Sequence, residues 1–344
     1  MALIPVVLAS ILLAVLLLVF FILPRYFYRI VVARRPPSDR EPNWLSTQTL
    51  EDLWIQGPDG LRLHAYYLAA EPGGDFSATA VLAHGYNGDG RQLDVFARLF
   101  HRLGLNVLLL EARGYGLSEG RYTGFGWHER LDMLGWMALL KERGEKRIVL
   151  YGISMGASTV LMTAGEDVPP ELKLIIADCG YTSALDELNW QLKRGYHISF
   201  PPLIRALSRL TEKRAGYRLE EASALEQVKK SRTPVLFIHG EADTFVPFEM
   251  CSRLYAACVS EKELYTVPGA EHGLAYDTDK EEYGRRIALF MKKYLRGTET
   301  KTEIQTETEA KTEAKTETKT KTEAETKTAK QPDFPEIPLP KRAE

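Results

Sequence analysis

The chain has 344 residues, 45% hydrophobic and 26% charged, with 44 Lys and Arg against 46 Asp and Glu, a formal net charge of -2. So even a balance gives no electrostatic ground for nucleic-acid or polyanion partners, and these are excluded. Three cysteines, Cys179, Cys251 and Cys258, are too few and too irregularly spaced for a disulfide framework or a zinc site, and read as buried free thiols suited to a reducing compartment.

In chain order, residues 3–23 are uncharged and almost wholly apolar. As a helix rising about 1.5 Å per residue they are long enough to cross about 30 Å of hydrocarbon. A cleaved signal peptide and a buried core helix are the competing readings. A signal peptide carries basic residues ahead of its apolar run and a small-residue cleavage site behind it; here no basic side chain precedes, and Pro24-Arg25-Tyr26-Phe27-Tyr28-Arg29 follows. Residues 1–24 are therefore expected to form a retained single-pass membrane anchor and residues 25–49 a juxtamembrane linker, with Tyr26, Phe27 and Tyr28 at headgroup level. Arg25, Arg29, Arg34 and Arg35 all follow the apolar run, which assigns the following domain to the cytoplasmic side.

From Leu50 the pattern is a strand, a Gly57-Pro58-Asp59-Gly60 turn and a second strand over residues 61–67, an antiparallel hairpin. Continuous apolar or β-branched runs follow at residues 78–83, 107–110, 148–151, 174–177, 234–238 and 263–267, as expected of strands covered on both faces. Amphipathic stretches at residues 92–103 and 129–141 lie between them, with apolar positions recurring every three and four. The order predicts an α/β fold: a doubly wound, mostly parallel sheet preceded by an antiparallel hairpin, within a domain spanning residues 50–296. Residues 183–231 hold no strand signal and are longer than a crossover needs; they are expected to form a helical cap over the C-terminal edge of the sheet, against the alternative of a solvent-side decoration. Residues 297–344 are mostly Thr, Glu, Lys and Ala, then Pro-rich, and too poor in apolar surface to build a core; a disordered tail is expected.

The sharpest chemical signal is Gly152-Ile153-Ser154-Met155-Gly156, at the end of an apolar strand and the start of a helical stretch. Two glycines let a strand turn into a helix so tightly that the serine between them points into a cleft, with the new helix N-terminus aimed at it. A serine hydroxyl needs a base, and that base needs an acid to orient it. His272 follows the last predicted strand in Pro268-Gly269-Ala270-Glu271-His272-Gly273, and Asp243 follows the strand before it in His239-Gly240-Glu241-Ala242-Asp243. Ser154, Asp243 and His272 are the expected catalytic residues, with Glu241 and Asp178 as alternative acids. Two backbone N–H groups should stabilise an oxyanion: Met155 by its place after the nucleophile, and Tyr86 in the loop His84-Gly85-Tyr86-Asn87-Gly88. His84 should brace that loop. Phe125, Trp127, Trp190 and Phe200 are candidates for an acyl pocket or for plain core.

Together with His84-Gly85-Tyr86 and Glu111-Ala112-Arg113-Gly114-Tyr115-Gly116-Leu117-Ser118, these motifs resemble the α/β-hydrolase superfamily, and within it the serine aminopeptidase-like and monoacylglycerol lipase-like hydrolases, especially bacterial members with an N-terminal anchor. The resemblance covers about residues 50–295. It departs at Glu111, where relatives often carry Asp, a position that looks structural in the family. It implies hydrolysis of an ester, thioester or amide through an acyl-enzyme, without metal or organic cofactor. Esters are favoured because their leaving groups need less protonation than an amine, and the anchor favours a lipid-like acyl ester as the small-molecule substrate. A peptidase on the same scaffold and a catalytically inactive scaffold are the alternatives. Oligomeric state is not legible in the sequence.

Overall fold

Short aliphatic runs become central strands because β-branched and large apolar side chains suit a pleated surface buried on both faces. In the computed structural model, which describes residues 3–33, 43–71, 76–196 and 200–295, eight strands form one sheet in the order β1-β2-β4-β3-β5-β6-β7-β8. They are β1 (Glu51–Gln56), β2 (Arg62–Leu68), β3 (Thr79–Ala83), β4 (Asn106–Glu111), β5 (Ile148–Ile153), β6 (Leu172–Asp178), β7 (Val235–Gly240) and β8 (Lys262–Val267). β1 pairs antiparallel with β2 and β2 with β4, and every remaining pairing is parallel.

The helices are α1 (Leu3–Leu17), α2 (Leu23–Phe27), α3 (Asp94–Arg102), α4 (Glu129–Glu142), α5 (Met155–Thr163), α6 (Ala184–Tyr196), α7 (Pro201–Ala215), α8 (Ala224–Val228), α9 (Phe248–Ala257), α10 (Ala275–Thr278) and α11 (Lys280–Leu295). Alternation along the strands divides the core in two. Val81, Leu108 and Leu150 join Trp136 and Val160 on one face of the sheet, while Leu82, Leu109 and Tyr151 join Phe100 and Phe290 on the other.

The N-terminal segment differs from its expected form. Helix continues past Pro24: α1 and α2 are joined by a π-helical turn over Leu18–Ile22, and a second π turn over Tyr28–Val32 ends the run. Proline is tolerated because a widened turn precedes it and its missing N–H falls in the opening positions of α2. The expected linker therefore begins as part of the folded domain. Pro24, Tyr28 and Val32 are buried, α2 packs on α7, and the Arg214 guanidinium sits 5.1 Å above the Tyr28 ring. Tyr28 thus faces protein, whereas Tyr26 is exposed. Apolar side chains from Ile4 to Ile22 remain largely uncovered. Arg34, Arg35 and the tail at residues 297–344 lie outside the described residues.

The cap closes earlier than expected. An antiparallel bridge pairs Ser183 with Ser223 where the insert leaves and rejoins the sheet layer, and α8 beyond it packs against α5 and α9 as part of the scaffold. α6 and α7 are the cap proper.

Candidate active site

Ser154 stands between β5 and α5 with φ 56° and ψ -115°, a conformation that a non-glycine residue holds only when its surroundings impose it. What imposes it is the closeness of helix to sheet. A Cβ on Gly152 would lie 2.2 Å from the Gly156 carbonyl oxygen, and one on Gly156 would lie 2.0 Å from the Ala83 carbonyl oxygen, so both positions require glycine. The Ser154 N–H donates to the Asp178 carbonyl at 2.8 Å, tying the turn to β6.

Ser154 Oγ lies 2.9 Å from His272 Nε2, and His272 Nδ1 lies 2.7 Å from Asp243 Oδ2. Three loops that follow β5, β7 and β8 supply these side chains at one edge of the sheet. Asp243 is buried while His272 keeps access to the cleft. The other Asp243 oxygen accepts the N–H groups of Phe245 and Val246, each at 2.9 Å. Burial by itself would raise the Asp243 carboxyl, but hydrogen bonds from His239 and then His272 outweigh it and hold the group down at about 2. A carboxylate throughout the ordinary pH range, it fixes His272 with the proton on Nδ1 and the lone pair of Nε2 towards Ser154.

The alternative acids are engaged elsewhere. Glu241 accepts from Thr266 Oγ1, and Asp178 accepts from the Tyr283 hydroxyl at 2.7 Å. Burial raises the Asp178 carboxyl to about 6. His239, which the sequence does not single out, is fully buried with Nε2 2.9 Å from the Val246 carbonyl and 3.2 Å from Asp243 Oδ2. Burial would lower its pKa, but the Asp243 carboxylate outweighs that and raises it. Its place at the end of the apolar strand β7 is the available signal.

Met155 opens α5, so its N–H is one of those that a helix start leaves without an intrahelical acceptor. The loop after β3 approaches from the other side: a Cβ on Gly85 would lie 3.5 Å from Ser154 Cβ, and Tyr86 lines the same cavity as Ser154 and Met155. His84 joins this loop to its neighbour, with Nδ1 2.7 Å from the Gly85 carbonyl and Nε2 accepting the Ala112 N–H at 3.1 Å. Glu111, the last residue of β4, braces that neighbouring loop: its Oε2 lies 2.8 Å from His64 Nδ1 and accepts the Leu117 N–H.

The cavity at Ser154 has a volume of about 300 Å³, at the lower end of small-molecule sites. Phe125 is on its wall, stacked on Tyr86 with ring centroids 5.7 Å apart, and its carbonyl accepts from the Tyr181 hydroxyl. The three other expected aromatics are not. Trp127, outside the cap, lies under Arg130, while Trp190 donates to the Thr244 carbonyl and Phe200 is exposed; the cap turns a different face inward. That face carries Ala184, Glu187, Leu188 and Gln191 from α6 and Leu207 from α7, while Phe245 lies over the His272 ring at 4.8 Å. Residues 184, 187, 188 and 191 share one helical stripe, which was the legible signal. Ile30, Val31 and Val32 complete the wall from the N-terminal helix. Among the described residues, Glu187 Oε2 is buried without a hydrogen-bond partner while Oε1 accepts from Gln191, and burial raises this carboxyl to about 7.

Ligand atoms of Cys179, Asp243 and His272 lie within 4.8 Å of one another. His272 Nδ1 and Asp243 Oδ2 are engaged with each other at 2.7 Å, and burial raises the Cys179 thiol well above its usual range.

A profile of the prolyl oligopeptidase family matches residues 125–298, and one of the X-Pro dipeptidyl-peptidase (S15) family matches residues 31–199. The uncharacterised protein YqkD of Bacillus subtilis is 31% identical over 242 residues, 70% of this chain and 78% of its own length. An esterase from Pyrococcus furiosus superposes with a TM-score of 0.62 at 22% identity, covering 77% of this chain and 97% of that one. A puromycin-hydrolysing peptidase from Mycobacterium tuberculosis superposes with a TM-score of 0.56 at 20% identity, covering 75% of this chain and 41% of that one. The chain belongs to the α/β-hydrolase superfamily, in the prolyl oligopeptidase family as the profile over its second half defines it.

Proposed function

We propose that the protein is a serine hydrolase that cleaves carboxylic esters of apolar acyl groups, with Ser154 as nucleophile, His272 as general base and acid, and Asp243 as the acid that orients it. The carrying observation is the hydrogen-bonded line from Ser154 Oγ through His272 to Asp243, at 2.9 and 2.7 Å. As Oγ attacks the carbonyl carbon, Nε2 takes its proton and the carbonyl oxygen gains negative charge facing the Met155 and Tyr86 N–H groups. His272 then returns the proton to the leaving alkoxide. Water, deprotonated by the same imidazole, releases the acid. The apolar lining from Phe125, Leu188 and Leu207 supports an acyl chain as the group held.

We also propose that the exposed apolar part of the N-terminal helix inserts in a bilayer as a single span, with the domain facing the cytoplasm. The unbroken helical run from the exposed apolar residues into Pro24, Tyr28 and Val32, which are buried in the domain, supports an anchor that is one piece with the fold. A peptidase reading draws support from the family descriptions above and from Glu187, whose unpartnered carboxylate oxygen suits a substrate ammonium. A panel of acyl esters and aminoacyl amides assayed with wild type and Ser154→Ala decides: turnover of esters, lost in the variant, is expected, and turnover of amides with inert esters would replace the esterase reading.

A further inference from the structure

Carbonyls in the last turn of a helix have no intrahelical donor, and in a plain tether they would be left to water. Here they are taken up by the site. The Tyr86 hydroxyl donates to the Ile30 carbonyl at 3.0 Å and the Val31 carbonyl at 2.9 Å, the Thr123 N–H donates to the Val32 carbonyl at 2.8 Å, and Ala33 bridges to Tyr122. Tyr86 belongs to the loop beside Ser154, and Thr123 lies two residues before Phe125 on the cavity wall. Ile30, Val31 and Val32 all line the cavity. These three are consecutive residues of the π turn and fan around the helix axis, so the helix end projects into the cavity rim instead of lying flat against it.

We propose that the last turns of the N-terminal helix are part of the substrate site, forming the wall along which the acyl chain of a lipid-phase ester lies. The same helix carries exposed apolar side chains from Ile4 to Ile22. From Ile22 to Ile30 the axis advances only about 12 Å at the usual helical rise. The cavity wall is thus continuous with a segment suited to hydrocarbon, and a long unbranched chain dissolved in the bilayer can meet Val31 while its ester reaches Ser154. The assignment deepens the esterase reading and rests on Ser154 as the reacting residue.

The test uses the full-length protein in phosphatidylcholine vesicles. Val31→Trp fills the cavity from the helix side, and Leu12→Val, in the exposed part of the helix, serves as the control. Each methylene denied burial costs about fourfold, so blocking two or three should lower kcat/KM for p-nitrophenyl laurate relative to butyrate by about 15- to 60-fold. In a Ser154→Ala background, where no turnover is needed, Val31→Trp should weaken binding of a dansyl-labelled dodecanoyl ester by a similar factor. An unchanged laurate-to-butyrate ratio and unchanged binding in folded Val31→Trp protein overturn the proposal. If Val31→Trp does not fold, Val31→Ala must shift the preferred chain longer, and no shift overturns it equally. Turnover that survives Ser154→Ala while the binding loss still appears strikes the nucleophile reading and leaves the wall in place.

Discussion

Replacing Asp243 by Asn changes one atom of the carboxylate from acceptor to donor, and the structure dictates which. Oδ1 accepts two backbone N–H groups, from Phe245 and Val246, each at 2.9 Å. Turning the amide NH2 towards them would leave two buried donors facing a donor, at a cost of about 1–3 kcal/mol for each unsatisfied group. The amide oxygen therefore takes that side, and the NH2 takes the place of Oδ2, which in the wild type lies 2.7 Å from His272 Nδ1 and 3.2 Å from His239 Nε2, the latter keeping the Val246 carbonyl as its acceptor. An imidazole that must accept at Nδ1 carries its proton on Nε2, pointing at Ser154 Oγ, where a lone pair is needed. The protein stays folded and turnover falls by about ten-thousandfold, equivalent to about 5 kcal/mol of barrier. Ester hydrolysis followed alongside circular dichroism reads both quantities. Turnover within tenfold of wild type, in a protein of native spectrum, would refute the tautomer argument and release Asp243 from its role.

Gly156→Ala places a Cβ 2.0 Å from the Ala83 carbonyl oxygen and 2.5 Å from its carbon, so α5 must retreat from β3 by more than an ångström. A displacement of that size at Ser154 should cost about a hundredfold in turnover, with about 1–3 kcal/mol of stability lost in urea unfolding; wild-type turnover would show that the turn has slack. Glu187 has its carboxyl raised from 4.5 to about 7 by burial, so the fold disfavours its ionised form. Stability from this group is complete below about pH 4.5 and declines by about 3 kcal/mol as pH rises through 7. Denaturation of Glu187→Gln across pH 4.5–8 should lack that decline; an unchanged pH slope would assign it to other groups.

Much of this architecture is legible in the sequence because its strands are short and continuously apolar, a pattern that few other elements produce. The positions of Ser154, Asp243 and His272 are readable for a related reason, since each lies in the turn or loop that follows such a run. The end of the N-terminal helix is not legible at Pro24, because proline and arginine mark the end of a lipid-facing run but not the end of a helix that goes on to pack against protein. Apolarity alone does not distinguish Val31 facing a cavity from Val31 facing lipid. On α6 the amphipathic stripe was visible, but which stripe turns inward depends on how the cap seats. Trp190, the largest side chain there, bonds Thr244 at the rim, and Glu187 goes inside.

The central claim is that Ser154 reacts through its Oγ with His272 as the base. Treating the folded protein with a fluorophosphonate and mapping the adduct by tandem mass spectrometry tests it most directly. A single phosphonylated serine at Ser154, lost when His272 is replaced by Ala, is the predicted result; an adduct on another residue, or none on folded wild-type protein, would contradict the account.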